Sequence, residues 1–125
     1  MEARVKPTSV VVHHNDWGGY DEDVFILDGG AAVCMLAFPG GGDPAEHQGR
    51  AWLHDLSVLP DYRKKGYATA LLEMCREAAR KGGRKVLSLW VSPGSWMEDW
   101  YRRNGFEKDP LLVRKDGNII YNMKL

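Results

Sequence analysis

Short apolar runs alternate along the chain with glycine-rich and charged breaks, and the period within each run says what it forms. Ser9 to His14 is β-branched and short, which predicts a strand. Val24 to Leu27 and Ala31 to Phe38 are apolar runs separated by Asp28-Gly29-Gly30, and such a turn favours a hairpin. Trp52 to Leu59 predicts another strand, stopped by Pro60, which cannot donate to a ladder and biases Leu59 towards extended backbone. The period then changes. Tyr67, Leu71, Met74, Cys75 and Ala78 fall on one face of a helix that runs to about Lys81 and meets Gly82-Gly83. Val86 to Val91 is again an apolar run, so strand, helix and strand predict a crossover onto a parallel neighbour. Ser95 and Glu98 form a capping-box pair at the head of a short helix ending near Asn104-Gly105. Leu111 to Arg114 and Asn118 to Met123 flank Lys115-Asp116-Gly117 and predict a closing hairpin, while Asn15 to Asp23 and Pro39 to Gly49 read as connecting loops. The sum is an α/β domain with a mixed sheet of about six or seven strands and two helices.

Composition narrows this further. A chain of 125 residues with 44% apolar content supports one core and is too short for two. No apolar run approaches membrane-spanning length, and Met1 to Lys6 is followed by no segment resembling a signal peptide, so the expected location is the cytoplasm. Cys34 sits in an apolar run and Cys75 on the helix's apolar face, which predicts two reduced core thiols. His13-His14 and the His47/His54 pair lack the neighbours of a zinc site, and no metal is assigned. Net charge is zero but uneven: residues 1–57 hold three cations against nine carboxylates, and residues 58–125 hold fourteen against eight. That division disfavours general nucleic-acid binding, yet leaves room for a compact anion on the second half. Trp17, Trp52, Trp90, Trp96 and Trp100 read first as core or interface packing, which also permits a homodimer.

The chemistry concentrates in Arg63-Lys64-Lys65-Gly66-Tyr67-Ala68, where a strand gives way to a helix. A glycine and an alanine at a helix start let backbone N–H groups approach an anion closely, and three cations add attraction, so the segment is suited to cradle a pyrophosphate. It is not a nucleoside-triphosphate loop, because no Gly-Lys-Ser/Thr is present. Leu56-Ser57-Val58-Leu59-Pro60 precedes it, and Trp100-Tyr101-Arg102-Arg103-Asn104-Gly105-Phe106 follows the next strand.

This arrangement, over Trp52 to Lys108, closely resembles the GNAT superfamily of acyl-CoA N-acyltransferases, with its L-x-V-x-P strand, its R/Q-x-x-G-x-G/A helix opening and its Y-x-x-x-G-F segment. The resemblance implies a mixed, mostly antiparallel sheet of six to seven strands with a parallel, splayed central pair and flanking helices. The N-terminal helical region is shortened, since only Asn15 to Asp23 stands where members carry two helices. It implies transfer of an acetyl group from acetyl-CoA to a primary amine, a small molecule or a peptide N-terminus, by direct attack in a ternary complex. On this reading Val58 offers main-chain groups to the pantetheine arm, and Arg63, Lys64, Lys65, Gly66, Tyr67, Ala68 and Thr69 surround the pyrophosphate. Tyr101 matches the tyrosine that protonates the departing thiolate.

The amine must also lose a proton before it can attack. Some members place a base on the strand before the helix opening, and a two-residue period puts His54 on Val58's face, so His54 is the first choice, ahead of Asp55, Glu46 and His47. Asp21, Glu22 and Asp23 are expected to border the acceptor mouth and favour a cationic amine. Gly94 stands where members carry an asparagine that bonds the cofactor arm, a place that the hydroxyl of Ser92 or Ser95 could fill. That gap and the shortened N-terminal region keep a rival open: an acyl-CoA-binding module without catalysis that regulates a protein partner.

Overall fold

The computed structural model describes residues 9–14, 21–39, 49–111 and 114–125, with Ser9–His14 and Asp21 described by backbone alone. Seven strands form one sheet: β1 (Ser9–His14), β2 (Asp21–Leu27), β3 (Ala32–Phe38), β4 (Arg50–Val58), β5 (Val86–Val91), β6 (Glu107–Lys108) and β7 (Ile119–Lys124). Their order is β1-β2-β3-β4-β5-β7-β6. The helices are α1 (Tyr67–Lys81) and α2 (Trp96–Arg103). Among these strands β4 and β5 pair in parallel and every other pair is antiparallel, as the strand-helix-strand order predicts.

One face of the sheet carries the core. Leu27, Leu36, Leu53 and Leu87, alternate residues of successive strands, pack with Leu71, Cys75 and Ala79 of α1 and with Tyr101 of α2. The helix stripe is therefore close to prediction, with Ala79 buried and Met74 and Ala78 packed at the margin. The Asp28–Gly30 turn joins β2 to β3 as expected, with Asp28 at φ 47° and Gly29 at φ 70°.

Two expectations fail here. β2 begins at Asp21, because Asp21-Glu22-Asp23 pairs with Phe38, Ala37 and Leu36 of β3. Those acidic residues belong to a strand, and Glu22 and Asp23 are each only 6% exposed. The partner of β7 is Glu107–Lys108 instead of the segment from Leu111, where Asp109 N–H donates to the Ile120 carbonyl at 2.8 Å. Residues 112 and 113 lie outside the described residues.

The sheet's central feature follows from two local irregularities. β4 and β5 pair only at Arg50↔Val86, Ala51↔Leu87 and Trp52↔Ser88, and beyond that point the strands part. Arg50 braces the closed end: its Nη1 donates to Ser88 Oγ at 3.0 Å, to Asn122 Oδ1 at 3.0 Å and to Asp109 Oδ2 at 3.3 Å. On the other side of β4, Val33 pairs with Ser57 but Met35 pairs with His54, so Asp55 and Leu56 together stand opposite Cys34. This is a β-bulge, and Asp55 takes up its extra length at φ 56°. Leu53 before the bulge and Leu56 and Val58 after it all pack on the α1 side, which leaves His54 on the opposite face. The two-residue period therefore breaks, and His54 does not share Val58's face.

Candidate active site

At the head of α1, Gly66 adopts φ 89°, a left-handed conformation that a residue with a Cβ enters only with strain. The bond from the Ala70 N–H to the Gly66 carbonyl, at 3.0 Å, leaves the amides of the positions just before it without a helical acceptor. Tyr67 fixes this opening in place. Its ring is buried and its hydroxyl donates to the Asp28 carboxylate in the β2–β3 turn, a bond that raises the phenol's pKa.

Beside the opening lies a groove of about 640 Å³ whose walls include Val58, Arg63, Lys64, Gly66, Tyr67, Ala68 and Thr69. Seven of the eight predicted cofactor residues are thus brought together. Lys65 is the exception, since its Nζ sits 5.7 Å from the centroid of the Tyr62 ring and its side chain is not part of the groove wall. Arg63 Nε donates to the Val58 carbonyl at 3.1 Å and so occupies one of the main-chain groups expected to meet the pantetheine arm. The opposite wall comes from α2 through Trp96, Met97, Trp100 and Arg103. Trp96, read from the sequence as packing, is 65% exposed. The i,i+4 spacing of Trp96 and Trp100 did place them on one face, but only the docking of α2 aims that face at the groove.

A second cavity of about 360 Å³ fills the cleft where β4 and β5 part, and shares Leu56 and Met97 with the groove. Tyr101 lines it from the core side, while His54, Asp55, Trp90 and Asn118 contribute from the rest of its wall. Tyr101 is 4% exposed and packed edge-on against Trp100 and Phe106, with ring centroids 5.2 Å and 5.4 Å away. Among the described residues nothing hydrogen-bonds its hydroxyl. Burial, with lesser effects from Cys34 and Cys75, pushes its pKa well above the ordinary phenol value, so it stays a neutral donor.

His54 lies between two carboxylates. Its Nε2 is 2.7 Å from Glu22 Oε2, its Nδ1 is 3.0 Å from Asp55 Oδ2, and its ring stacks on Trp90 with centroids 6.2 Å apart. Trp90 also carries the Arg114 guanidinium 4.4 Å from its ring. Asp116 in turn holds Arg114, and that pairing lowers the Asp116 pKa to about 2. The sequence did not connect Glu22 to His54. The two are separated by β3, and only the sheet register reveals the contact. Glu46 and His47, the other base choices, lie outside the described residues, as does Trp17.

α2, which carries Tyr101, is anchored at its N-terminus by a buried carboxylate. Ser95 Oγ accepts from the Glu98 N–H at 3.3 Å, Glu98 Oε1 accepts from the Gly94 N–H at 2.8 Å, and Glu98 Oε2 accepts from the Tyr121 hydroxyl at 2.6 Å. Those two donors, the Tyr121 hydroxyl first, hold the Glu98 carboxyl below its ordinary pKa. Gly94 adopts φ 77°, and its N–H is spent on Glu98. The Ser95 hydroxyl is engaged by the cap and by the Ser92 carbonyl at 2.8 Å, and the Ser92 hydroxyl donates to Asn118 Oδ1 at 3.4 Å, both serines lying on the cavity wall.

Comparison with known proteins agrees with this geometry. The acetyltransferase (GNAT) domain family matches residues 17–108, and the chain belongs to that family. It is 39% identical over 63 residues to an uncharacterised N-acetyltransferase of Methanocaldococcus jannaschii, a match covering 50% of this chain and 28% of the relative. With an uncharacterised N-acetyltransferase of Schizosaccharomyces pombe it shares 33% identity over 70 residues, covering 56% of this chain and 48% of the relative. The chain thus spans less than half the length of these curated relatives.

In fold it is similar to the PaiA N-acetyltransferase of Thermoplasma acidophilum in complex with coenzyme A, with TM-score 0.64 and 19% identity over 83% of this chain and 60% of that one. It is also similar to an acyl-CoA N-acyltransferase of Klebsiella pneumoniae, with TM-score 0.66 and 11% identity over 94% and 98% of the two chains. The fold expectation therefore holds, with a mixed seven-stranded sheet and a parallel pair that splays. Among the described residues no helix is long and apolar enough to cross a membrane.

Proposed function

We propose that the protein is an acetyl-CoA-dependent N-acetyltransferase that acts on a primary amine by direct attack. The observation that carries this reading is the place of the Tyr101 hydroxyl. It has no hydrogen bond among the described residues, and Tyr101 lines the cleft that adjoins the groove at the α1 opening. The groove suits a diphosphate at the α1 opening, where the helix dipole, Arg63 and Lys64 all favour anions. From there a pantetheine arm would run past Val58 towards the splay and bring the thioester to Tyr101.

The amine enters from the other face of the sheet, past His54. Its lone pair attacks the thioester carbon, the C–S bond breaks, and negative charge collects on sulfur. A thiol of ordinary pKa, about 8.5, leaves as a thiolate that a neutral phenol stabilises by donating a hydrogen bond. Because burial raises the Tyr101 pKa, that hydrogen bond is its first contribution, and full proton transfer comes only as the charge develops. Cys34 and Cys75 are both buried, and the Cys75 pKa is raised well above the usual thiol value by its contact with Cys34 and by burial, which argues against an acyl-enzyme.

The test is release of CoA across a panel of amines, polyamines, aminoglycosides and peptide N-termini, with Tyr101→Phe run alongside. Turnover with at least one acceptor, lowered sharply by Tyr101→Phe, supports the enzyme. The Arg63 bond to the Val58 carbonyl favours the rival reading, a module that binds acyl-CoA without turning it over. Tight binding with no CoA release from any acceptor would select that rival.

A further inference from the structure

We infer that Glu22 is a positioning residue that makes His54 the general base of this reaction, by fixing the ring with its Nδ1 lone pair turned to the cleft. The inference rests on the acetyltransferase reading and deepens it. A ring whose two nitrogens both face carboxylates can donate to both only as an imidazolium, and an imidazolium has no lone pair with which to take a proton. One contact must yield, and the two are unequal. The Glu22 side chain is 8% exposed and its oxygen lies 2.7 Å from Nε2, whereas the Asp55 side chain is 73% exposed and lies 3.0 Å from Nδ1. Water competes freely for Asp55 and hardly for Glu22.

The contact that yields is therefore the one at Nδ1. Glu22 keeps the Nε2 proton, and Nδ1 is left bare beside the exposed Asp55, which lines the same cavity as His54 and Tyr101. Stacking on Trp90, with the two rings only 9° from parallel, restrains the imidazole plane. The bulge at Asp55 places His54 on the face away from the groove, so the base meets the amine from the side opposite the cofactor.

An ammonium acceptor gives one proton to Nδ1, which frees the nitrogen lone pair. The N–C bond forms, the C–S bond breaks, and a second nitrogen proton ends on the sulfur of CoA. Glu22 neutralises the imidazolium while it exists, in the manner of the acid member of a catalytic triad. Among the described residues the titratable groups facing His54 are Glu22 from β2, Asp55 from its own strand and Tyr101 of α2 across the cavity. β3 contributes neutral Met35 opposite it and β5 neutral Trp90, which carries the Arg114 cation.

The experiment has two arms. In the first, kcat/KM for the acceptor that gives CoA release is measured against pH for the wild type, Glu22→Gln, His54→Ala and the double variant. We expect His54→Ala to cost about 100-fold and Glu22→Gln roughly tenfold, on the scale of a positioned base. Glu22→Gln should add nothing in the His54→Ala background. A Glu22→Gln enzyme with wild-type rate, or full additivity of the two losses, overturns the inference.

The second arm needs no turnover. Nitrogen-15 NMR of the wild-type imidazole, above the pH at which the ring becomes neutral, should show His54 as the Nε2–H tautomer, and the Nδ1–H tautomer overturns the inference. Failure of the acetyltransferase reading is seen separately, as the absence of CoA release from the wild type with every acceptor.

Discussion

Tyr101 and His54 line one cavity of about 360 Å³ while their side chains belong to opposite faces of the sheet. They meet because β4 and β5 stop pairing after Trp52↔Ser88 and open a passage between the faces. On the proposed reading, a donor for the leaving group and a proton acceptor for the attacking group then have separate approaches, one for each substrate. Removing the Tyr101 hydroxyl tests the first half of this arrangement. Tyr101→Phe should lower kcat by about 100-fold, the usual scale for losing a positioned acid or hydrogen-bond donor, and leave KM for acetyl-CoA within a few-fold. Since nothing among the described residues bonds that hydroxyl, the melting temperature should hold steady, and an unchanged kcat would assign Tyr101 to packing alone.

Glu98 is expected to matter for stability more than for chemistry. It takes the Tyr121 hydroxyl and the Gly94 N–H, and a glutamine in its place, with one accepting oxygen, would leave one of the two donors facing an NH2 group. Glu98→Gln should lower the melting temperature by several degrees at neutral pH. Because the folded state holds the Glu98 carboxyl below its ordinary value, its contribution is complete above the unfolded pKa of about 4.3 and is lost as pH falls towards the folded value. Denaturant unfolding of both proteins from neutral pH to pH 3 should show the difference between them narrowing below about pH 4.

The two thiols give a third expectation. Cys34 and Cys75 lie with Sγ atoms 3.4 Å apart, each fully shielded from solvent. Neither should react with a thiol-specific disulfide reagent in the native protein, and both should react on unfolding. Rapid native labelling, or loss of activity on labelling, would reopen the question of a covalent intermediate.

Binding of acetyl-CoA should weaken with salt. Arg63 and Lys64 are exposed on the groove wall, where their attraction for a diphosphate is screened. Raising ionic strength from about 0.05 M to 0.5 M should weaken binding several-fold, and Lys64→Ala should flatten that dependence. Lys65→Ala should change it less, because the Lys65 ammonium is drawn to the Tyr62 ring. An equal effect of the two variants would contradict the geometry.

Much of this was legible in residue order, where the signal is local. The α1 stripe, the glycine at its opening, the Asp28-Gly29-Gly30 turn and the Ser95 cap all act within a few residues, and each forms as predicted. What was hidden depends on register between strands. Asp21-Glu22-Asp23 is as polar as a loop, and becomes a strand because β3 supplies its hydrogen bonds. His54 lies on the face opposite to the one a two-residue period predicts because a single inserted residue at Asp55 inverts the alternation, and nothing in the local sequence marks it. Trp96 and Glu22 owe their places to how α2 and β2 dock.

The central claim is that the opening of α1 receives the diphosphate of acetyl-CoA. The most direct measurement is titration of CoA into nitrogen-15-labelled protein, with amide shifts followed residue by residue. The account predicts saturable binding with its largest shifts at the Gly66, Tyr67, Ala68 and Thr69 amides, suppressed when Gly66→Ala strains the φ 89° position. Absence of binding at millimolar CoA, or saturation with those four amides unmoved, would contradict it.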